Sequence, residues 1–329
     1  QYGGFAFLVP FLIFVVVLGF CGVMGEMAFG RAMRTGPVGA FRKATQRRGS
    51  KIGGIFGLLP LIGSTGVAIG YTVIVGWILR FLFGAATGGM FATESGAYFG
   101  EIAGNFGSIG WHIFAIVLTF VVMNAGISAG IERANKIVMP LFFFLFVGLA
   151  IFVATIPGSE AGYEFLFSPD WSALADPKTW MYALGQAFFS LSLAGCGTIV
   201  YGSYLKNDTD IVFSGVMVAV FELIASILVA LTILPAVFAF GIDPQSGPPL
   251  IFITLPSIFA QLPYWQILAI VFFLAVFFAG ITSLVNLYET PIEALQEQFG
   301  LSRIASCVVV FGFSLLVGIF LENGDTVSS

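Results

Sequence analysis

Glu222 stands in the middle of the apolar run GVMVAVFELIASILVALTILP. A charged group at mid-depth in hydrocarbon costs about 2.5–3.5 kcal/mol on insertion scales, so an ionisable residue there points first to function. No Lys or Arg shares its depth. Its partner is then a bound cation or a hydroxyl such as Ser190 or Ser226, the second lying one helical turn further on. Structural pairing is the competing explanation. A second constellation lies in FFAGITSLVN, where spacing of three to four puts Ala279, Thr282 and Ser283 on one helix face. A small residue beside two hydroxyls gives a hard cation such as sodium both side-chain and backbone oxygen. The same hydroxyls can also bond back to their own helix. Tyr71, in TGVAIGYTVIVGW, carries a hydroxyl that needs either a ligand or a neighbouring carbonyl.

The stretch FFSLSLAGCGTIVYGSY at 188–204 is of another kind. Ser190, Ser192, Ala194, Gly195, Cys196 and Gly197 interrupt an otherwise apolar span. A bilayer span normally satisfies its backbone internally. Small and hydroxylated residues at its centre suggest a helix that opens there and offers backbone groups to a ligand. Close packing against another helix favours the same residues.

These groups need apolar helices to hold them, and the composition supplies them. The chain is 58% hydrophobic and 9% charged, with 38 Phe and 41 Gly, and its mean hydropathy is +1.02. Soluble domains carry about a quarter charged residues. The pattern is that of an all-α, polytopic membrane protein, with eight spans expected at about 5–29, 54–84, 110–128, 137–156, 180–203, 211–240, 264–287 and 303–321. The loop at 31–53 carries Arg31, Arg34, Arg42, Lys43, Arg47, Arg48 and Lys51, and loops on the same side add Arg133, Lys136, Lys206 and Arg303. Of the 13 basic residues only Lys178 and Arg80 fall elsewhere. That bias sets loop 31–53 in the cytoplasm of a multi-pass protein of the inner or plasma membrane, surrounded by lipid. It gives no reason to expect a nucleic-acid partner, and oligomeric state is not legible.

Several chemistries drop out. Cys21, Cys196 and Cys307 lie within spans without metal-ligand spacing, so a disulfide framework is not expected. His112 sits at a span end beside Trp111 and reads as an interfacial residue. No nucleophile–base pair or phosphate loop is present, which argues against an enzyme. The outer loops 157–179 and 241–263 are long; the second is expected either to re-enter and cap the bundle or to lie on its surface as an amphipathic helix. Gln1 would lie outside the cell directly before a span, and the chain reads as a piece of a longer protein.

The motifs taken in order add a further warrant. GGFAFLVPF with GEMAFGR, then GISAGIERANKIVMP, GQAFFSLSLAGCGTIVYGSYL, FSG at 213–215, FITLPSIF, FFAGITS and LSR at 301–303 together resemble the neurotransmitter:sodium symporters, the family of the bacterial leucine transporter. The resemblance implies an inverted-repeat fold of the leucine-transporter type and a single transporter domain over 1–329, truncated at both ends to roughly the second to ninth helices. It implies a sodium-coupled symporter of amino acids or related small zwitterions working by alternating access. A non-transporting receptor or scaffold on the same fold, and an ion channel, are the alternatives. With the first helix missing, a protein of this sequence alone is expected not to transport.

The resemblance also implies roles. Tyr71 would donate to the substrate carboxylate beside Val67, and Phe189 would lie over the substrate. Ser192, Ala194 and Gly195 would line an unwound segment, with Ser283 and Leu287 as the opposite wall. The Ala279 carbonyl with the Thr282 and Ser283 hydroxyls would hold one sodium ion, and Ser190 with Glu222 the other. Tyr204 and Glu297 match parts of an inner gate. Glu222 replaces the usual Asn, and the positions that gather chloride in other members read Phe11, Gln186, Ser190, Glu222 and Ser226. Like-charge repulsion from Glu222 then implies chloride independence. Gly195 replaces a bulky residue, leaving room for an aromatic or long aliphatic substrate.

Overall fold

Apolar runs broken only by Gly and Pro become helices here, because hydrocarbon offers the backbone no partner outside the chain. The computed structural model describes residues 4–46, 49, 52–124, 128–193, 195–241, 247 and 250–322. It is all-α, with no strand among the described residues. The helices are α1 (Phe5–Leu18), α2 (Met24–Met33), α3 (Pro37–Gln46), α4 (Gly53–Thr87), α5 (Ser95–Ala103), α6 (Ile109–Asn124) and α7 (Ser128–Val153). They continue with α8 (Ser159–Phe167), α9 (Pro177–Ser190), α10 (Gly197–Tyr204), α11 (Ile211–Ala239), α12 (Leu255–Phe259), α13 (Trp265–Phe299) and α14 (Arg303–Leu321).

Five stretches are long and apolar enough to cross a membrane: 5–33, α4, α11, α13 and α14. The spans expected at 110–128 and 137–156 are shorter apolar helices, Ile109–Asn124 and Met139–Val153. The span expected at 180–203 is two helices, α9 and α10. Within 5–33 the helix widens to a π-turn at Gly19–Val23. Gly19 lies so close to α11 that a Cβ there would sit 2.7 Å from the Cβ of Ala219.

The two 35-residue helices α4 and α13 form the central pair. They run antiparallel: Ser64 bonds the Leu287 carbonyl near one end, and Gln266 bonds the Ala85 and Ala86 carbonyls near the other. An aromatic core joins them, with ring centroids of Phe81 at 5.2 Å from Phe273 and 5.0 Å from Phe252. Phe252 belongs to the π-turn Leu250–Thr254, and with α12 this segment is buried against the bundle through Leu255, Ile258 and Phe259. Lipid tails are as apolar as these rings, so it is close packing rather than exclusion of water that holds the contacts. The outward faces stay apolar, as at Leu59 (69% exposed). Helix α3 lies across α4, where Gly57 brings its backbone against Val38, and the Gly36 N–H before α3 donates to Glu293 Oε1 at 2.8 Å.

His112 is not interfacial. Its side chain is fully buried between α4 and α14: Gly318 leaves room for the ring, and Gly76 lets the backbone at His112 come up against α4. Nε2 lies 3.1 Å from Thr72 Oγ1, and Nδ1 lies 2.7 Å from Glu322 Oε1 as an ion-pair contact rather than an aligned hydrogen bond. From sequence, the neighbouring Trp111 pointed the wrong way. What decides is the pair of glycines on two other helices.

Candidate functional site

Helix α9 begins on Asp176, whose side chain accepts from the Lys178 N–H at 2.9 Å, with Pro177 at its first position. It ends at Ser190, residues 191–193 and 195–196 are turns, and α10 starts at Gly197. The Leu193 N–H donates to the Phe188 carbonyl at 3.0 Å, a widened turn that abandons the α-helical register. Ser192 (φ 56°) and Cys196 (φ 52°) both take the left-handed conformation, uncommon for residues other than Gly. Thr290 of α13 donates to the Gly195 carbonyl at 3.3 Å, so a neighbouring helix satisfies part of the opened backbone. Gly197 then lets α10 approach Asn286 closely, since a Cβ there would collide with the Asn286 side chain.

The break opens onto a cavity of about 420 Å³. Val67 and Tyr71 line it from α4, Phe189 and Ser190 from α9, Ser192 and Gly195 from the break, and Ser283 and Leu287 from α13. Ala194 lies outside the described residues. Phe189 lines the cavity with 61% of its surface exposed. Ser64, Phe188, Leu193 and Asn286 also line the cavity and were missed. Helical spacing could have found two of them: Ser64 precedes Tyr71 by two turns, and Asn286 follows Ser283 by one.

Ala279 and Thr282 do not line this cavity. The Ala279 carbonyl accepts from Thr282 Oγ1 at 2.9 Å and from Ser283 Oγ at 3.0 Å. Helical back-bonding thus gathers three neutral hard oxygens of the kind sodium takes; the two hydroxyls keep lone pairs, while the carbonyl already accepts both.

Glu222 lines a second cavity of about 560 Å³ together with Phe11, Gln186, Ser190 and Ser226. Ser226 Oγ donates to Glu222 Oε1 at 2.8 Å, and Gln186 Nε2 donates to Ser190 Oγ at 3.3 Å. Ser190 borders both cavities and so links the carboxylate to the broken helix.

At the end carrying the basic loop, Tyr204 does not bond Glu297. Its hydroxyl donates to Glu289 Oε1 at 3.2 Å, and Arg303 grips both oxygens of Glu289 at 2.9 and 2.8 Å. Glu297 sits instead against Gly39 of α3. Glu289 escaped notice because its partners are 85 and 14 residues away. This network joins α10 to α13 and α14, and Cys196, just before α10, is buried in a separate cluster with Ala40 and Ile199. Glu289→Ala leaves Arg303 without its bidentate partner; since that side chain is 40% exposed, the expected cost is only about 1–2 kcal/mol. Its main effect should be on access. With Cys21 and Cys307 replaced by Ser, a membrane-impermeant maleimide added on the basic side should label Cys196 several-fold faster in Glu289→Ala than in the parent, and equal rates would refute a closing role.

Residues 97–326 match the sodium:neurotransmitter symporter family. The chain is 35% identical over 299 residues to the uncharacterized sodium-dependent transporter YhdH of Bacillus subtilis, covering 90% of this chain and 65% of that protein. It is 33% identical to an uncharacterized sodium-dependent transporter of Haemophilus influenzae, covering 96% of this chain and 71% of the relative. The chain thus spans about two thirds of the length of these relatives. The crystal structure of MhsT in complex with L-phenylalanine superposes with a TM-score of 0.91 at 36% identity, covering 98% of this chain and 73% of that one. The matched family is one of membrane transporters rather than enzymes, and the broken helix, the cavity and the apolar bundle agree with it: this chain belongs to the sodium:neurotransmitter symporter family.

Proposed function

We propose that the protein is a sodium-coupled secondary symporter of L-amino acids with aromatic or long aliphatic side chains, working by alternating access with loop 31–53 in the cytoplasm. One observation carries this reading: a helix broken at 191–196 opens onto a cavity that hydroxyl groups from α4, α9 and α13 also reach. Half-helix ends and unwound carbonyls near the membrane midplane are how transporters hold a zwitterion together with its ions. A similar protein, MhsT, is known in complex with L-phenylalanine. At Gly195 an added Cβ would meet only Ser64, at 3.6 Å, which supports a bulky substrate.

The chain's own groups divide the work. Tyr71 positions the substrate carboxylate, Val67, Leu287 and Gly195 bound its side chain, and Phe189 swings over it. Ala279, Thr282 and Ser283 hold one sodium ion; Ser190 and Glu222 contribute to the other. Sodium supplies the driving force and positive charge near the carboxylate. Tyr204 with Glu289 and Arg303 closes the cytoplasmic side, and Glu297 braces α3 there. The test is uptake of labelled phenylalanine, leucine and alanine into proteoliposomes holding the intact protein, with sodium or choline outside. Saturable uptake only with sodium supports symport. Sodium-independent, non-saturating flux would indicate a channel, and absence of both binding and uptake a scaffold.

Glu222 also supplies the fixed negative charge that chloride would bring, with Gln186 and Ser226 around it. Uptake by the unaltered protein should therefore be the same in chloride and gluconate. Glu222→Gln should lower uptake at least tenfold in gluconate and recover it in chloride; chloride dependence of the unaltered protein would sink the idea.

A further inference from the structure

The end of the cavity nearest the basic loop carries two polar groups that none of these roles uses. Ser64 Oγ donates its proton to the Leu287 carbonyl at 2.8 Å, so towards the cavity it can only accept. Asn286 lines the cavity with its Oδ1 fully buried against Gly197 and without a hydrogen-bond partner. Nδ2, the donor of the same amide, lies farther from Gly197 than Oδ1 does and is the atom that a ligand in the cavity would take as donor. The two groups belong together. Ser64 lies seven residues before Tyr71 on α4, about 10 Å along the axis. Asn286 follows Ser283 on the antiparallel α13, and Ser64 bonds the residue next to it. Both therefore sit towards the opposite end of the cavity from Tyr71, with Ser64 against Gly195 of the broken segment.

We infer that Ser64 and Asn286 form a hydroxyl-recognition subsite for the tip of the substrate side chain. A hydroxyl both accepts and donates at one oxygen, so it can accept from Asn286 Nδ2 while donating to Ser64 Oγ. An aliphatic or plain phenyl side chain leaves both groups unpaired in a closed site, the condition under which an enclosed polar wall discriminates most. A serine or threonine hydroxyl is too near its own α-carbon to reach this end while the carboxylate stays at Tyr71. The substrate class that fits is the L-amino acid with a hydroxylated aromatic side chain, tyrosine above phenylalanine. This inference rests on the cavity being the substrate site.

The experiment is sodium-dependent binding of labelled tyrosine and phenylalanine to the intact protein in proteoliposomes. In the unaltered protein tyrosine should bind about tenfold more tightly than phenylalanine, the factor of one well-made hydrogen bond. Asn286→Leu should bring the ratio to about one or below, and Ser64→Ala should lower it several-fold. Should Asn286→Leu fail to fold, the ratio in the unaltered protein and in Ser64→Ala decides. Sodium-dependent binding of both amino acids with phenylalanine equal or preferred would overturn this subsite and leave the symporter standing. Absence of binding of either, with or without sodium, would overturn both.

Discussion

His112→Ala should destabilise the protein by about 3–5 kcal/mol, whereas Glu322→Ala should cost only about 1–3 kcal/mol. The asymmetry follows from which group is left behind. Thr72 Oγ1 donates to the Ile69 carbonyl at 2.6 Å, so it must accept from His112 Nε2–H, which fixes one ring proton. Nδ1 lies 2.7 Å from Glu322 Oε1, so the ring and the carboxylate are each other's polar contact. Removing Glu322 leaves the ring with one nitrogen that has no polar contact. Removing His112 strands a carboxylate that is buried at the C-terminal end of α14, where the helix dipole already opposes negative charge. The double variant should cost less than the sum of the two, since the stranded carboxylate is gone. Thermal unfolding of the four proteins in detergent measures this. Equal losses for both single variants would show that the contact does not hold α6 to α14.

Gly30→Ala should be comparably damaging and should abolish ligand binding. Its Cβ would collide with the Ile199 carbonyl oxygen of α10, and Gly202 of α10 lies as close to α2, where a Cβ would sit 2.5 Å from the Met27 carbonyl. Overpacking usually costs about 1–3 kcal/mol, because side chains can shift to relieve it. Here the obstacle is backbone on a helix of only eight residues, so α10 itself must move, and the broken segment at 191–196 with it. Gly25, on the same helix, is the control. Nothing lies within 4 Å of a Cβ added there, so Gly25→Ala should be neutral or stabilise by up to about 1 kcal/mol. Equal thermal stability and binding in the two variants would refute the interlock of α2 with α10.

The two readings of 188–204 are therefore both realised, in different halves. Ser190, Ser192 and Gly195 open the backbone towards a cavity, while Gly197 and Gly202 pack α10 tightly against its neighbours. Composition could not assign them, because small residues serve either purpose. The grouping of Ala279, Thr282 and Ser283 was legible since its members lie within about one helical turn. Glu222 was legible because an acid in an apolar run is costly wherever the run goes. Tyr204 was legible as a residue but not in its bond, since Glu289 and Arg303 come from distant helices.

By itself, the sequence determined what local physics controls. Apolar length made the helices, the basic loop marked one end, and the motifs placed the chain in its family. It also marked Tyr71, Glu222 and Ser283 as polar groups in apolar surroundings. Only the tertiary structure decided which groups face one another. Ser64 and Asn286 share a cavity end, His112 is enclosed rather than interfacial, and Tyr204 pairs with Glu289. The reason is physical: a helix carries its own periodicity, but the depth and rotation at which two helices meet depend on glycine contacts contributed by both.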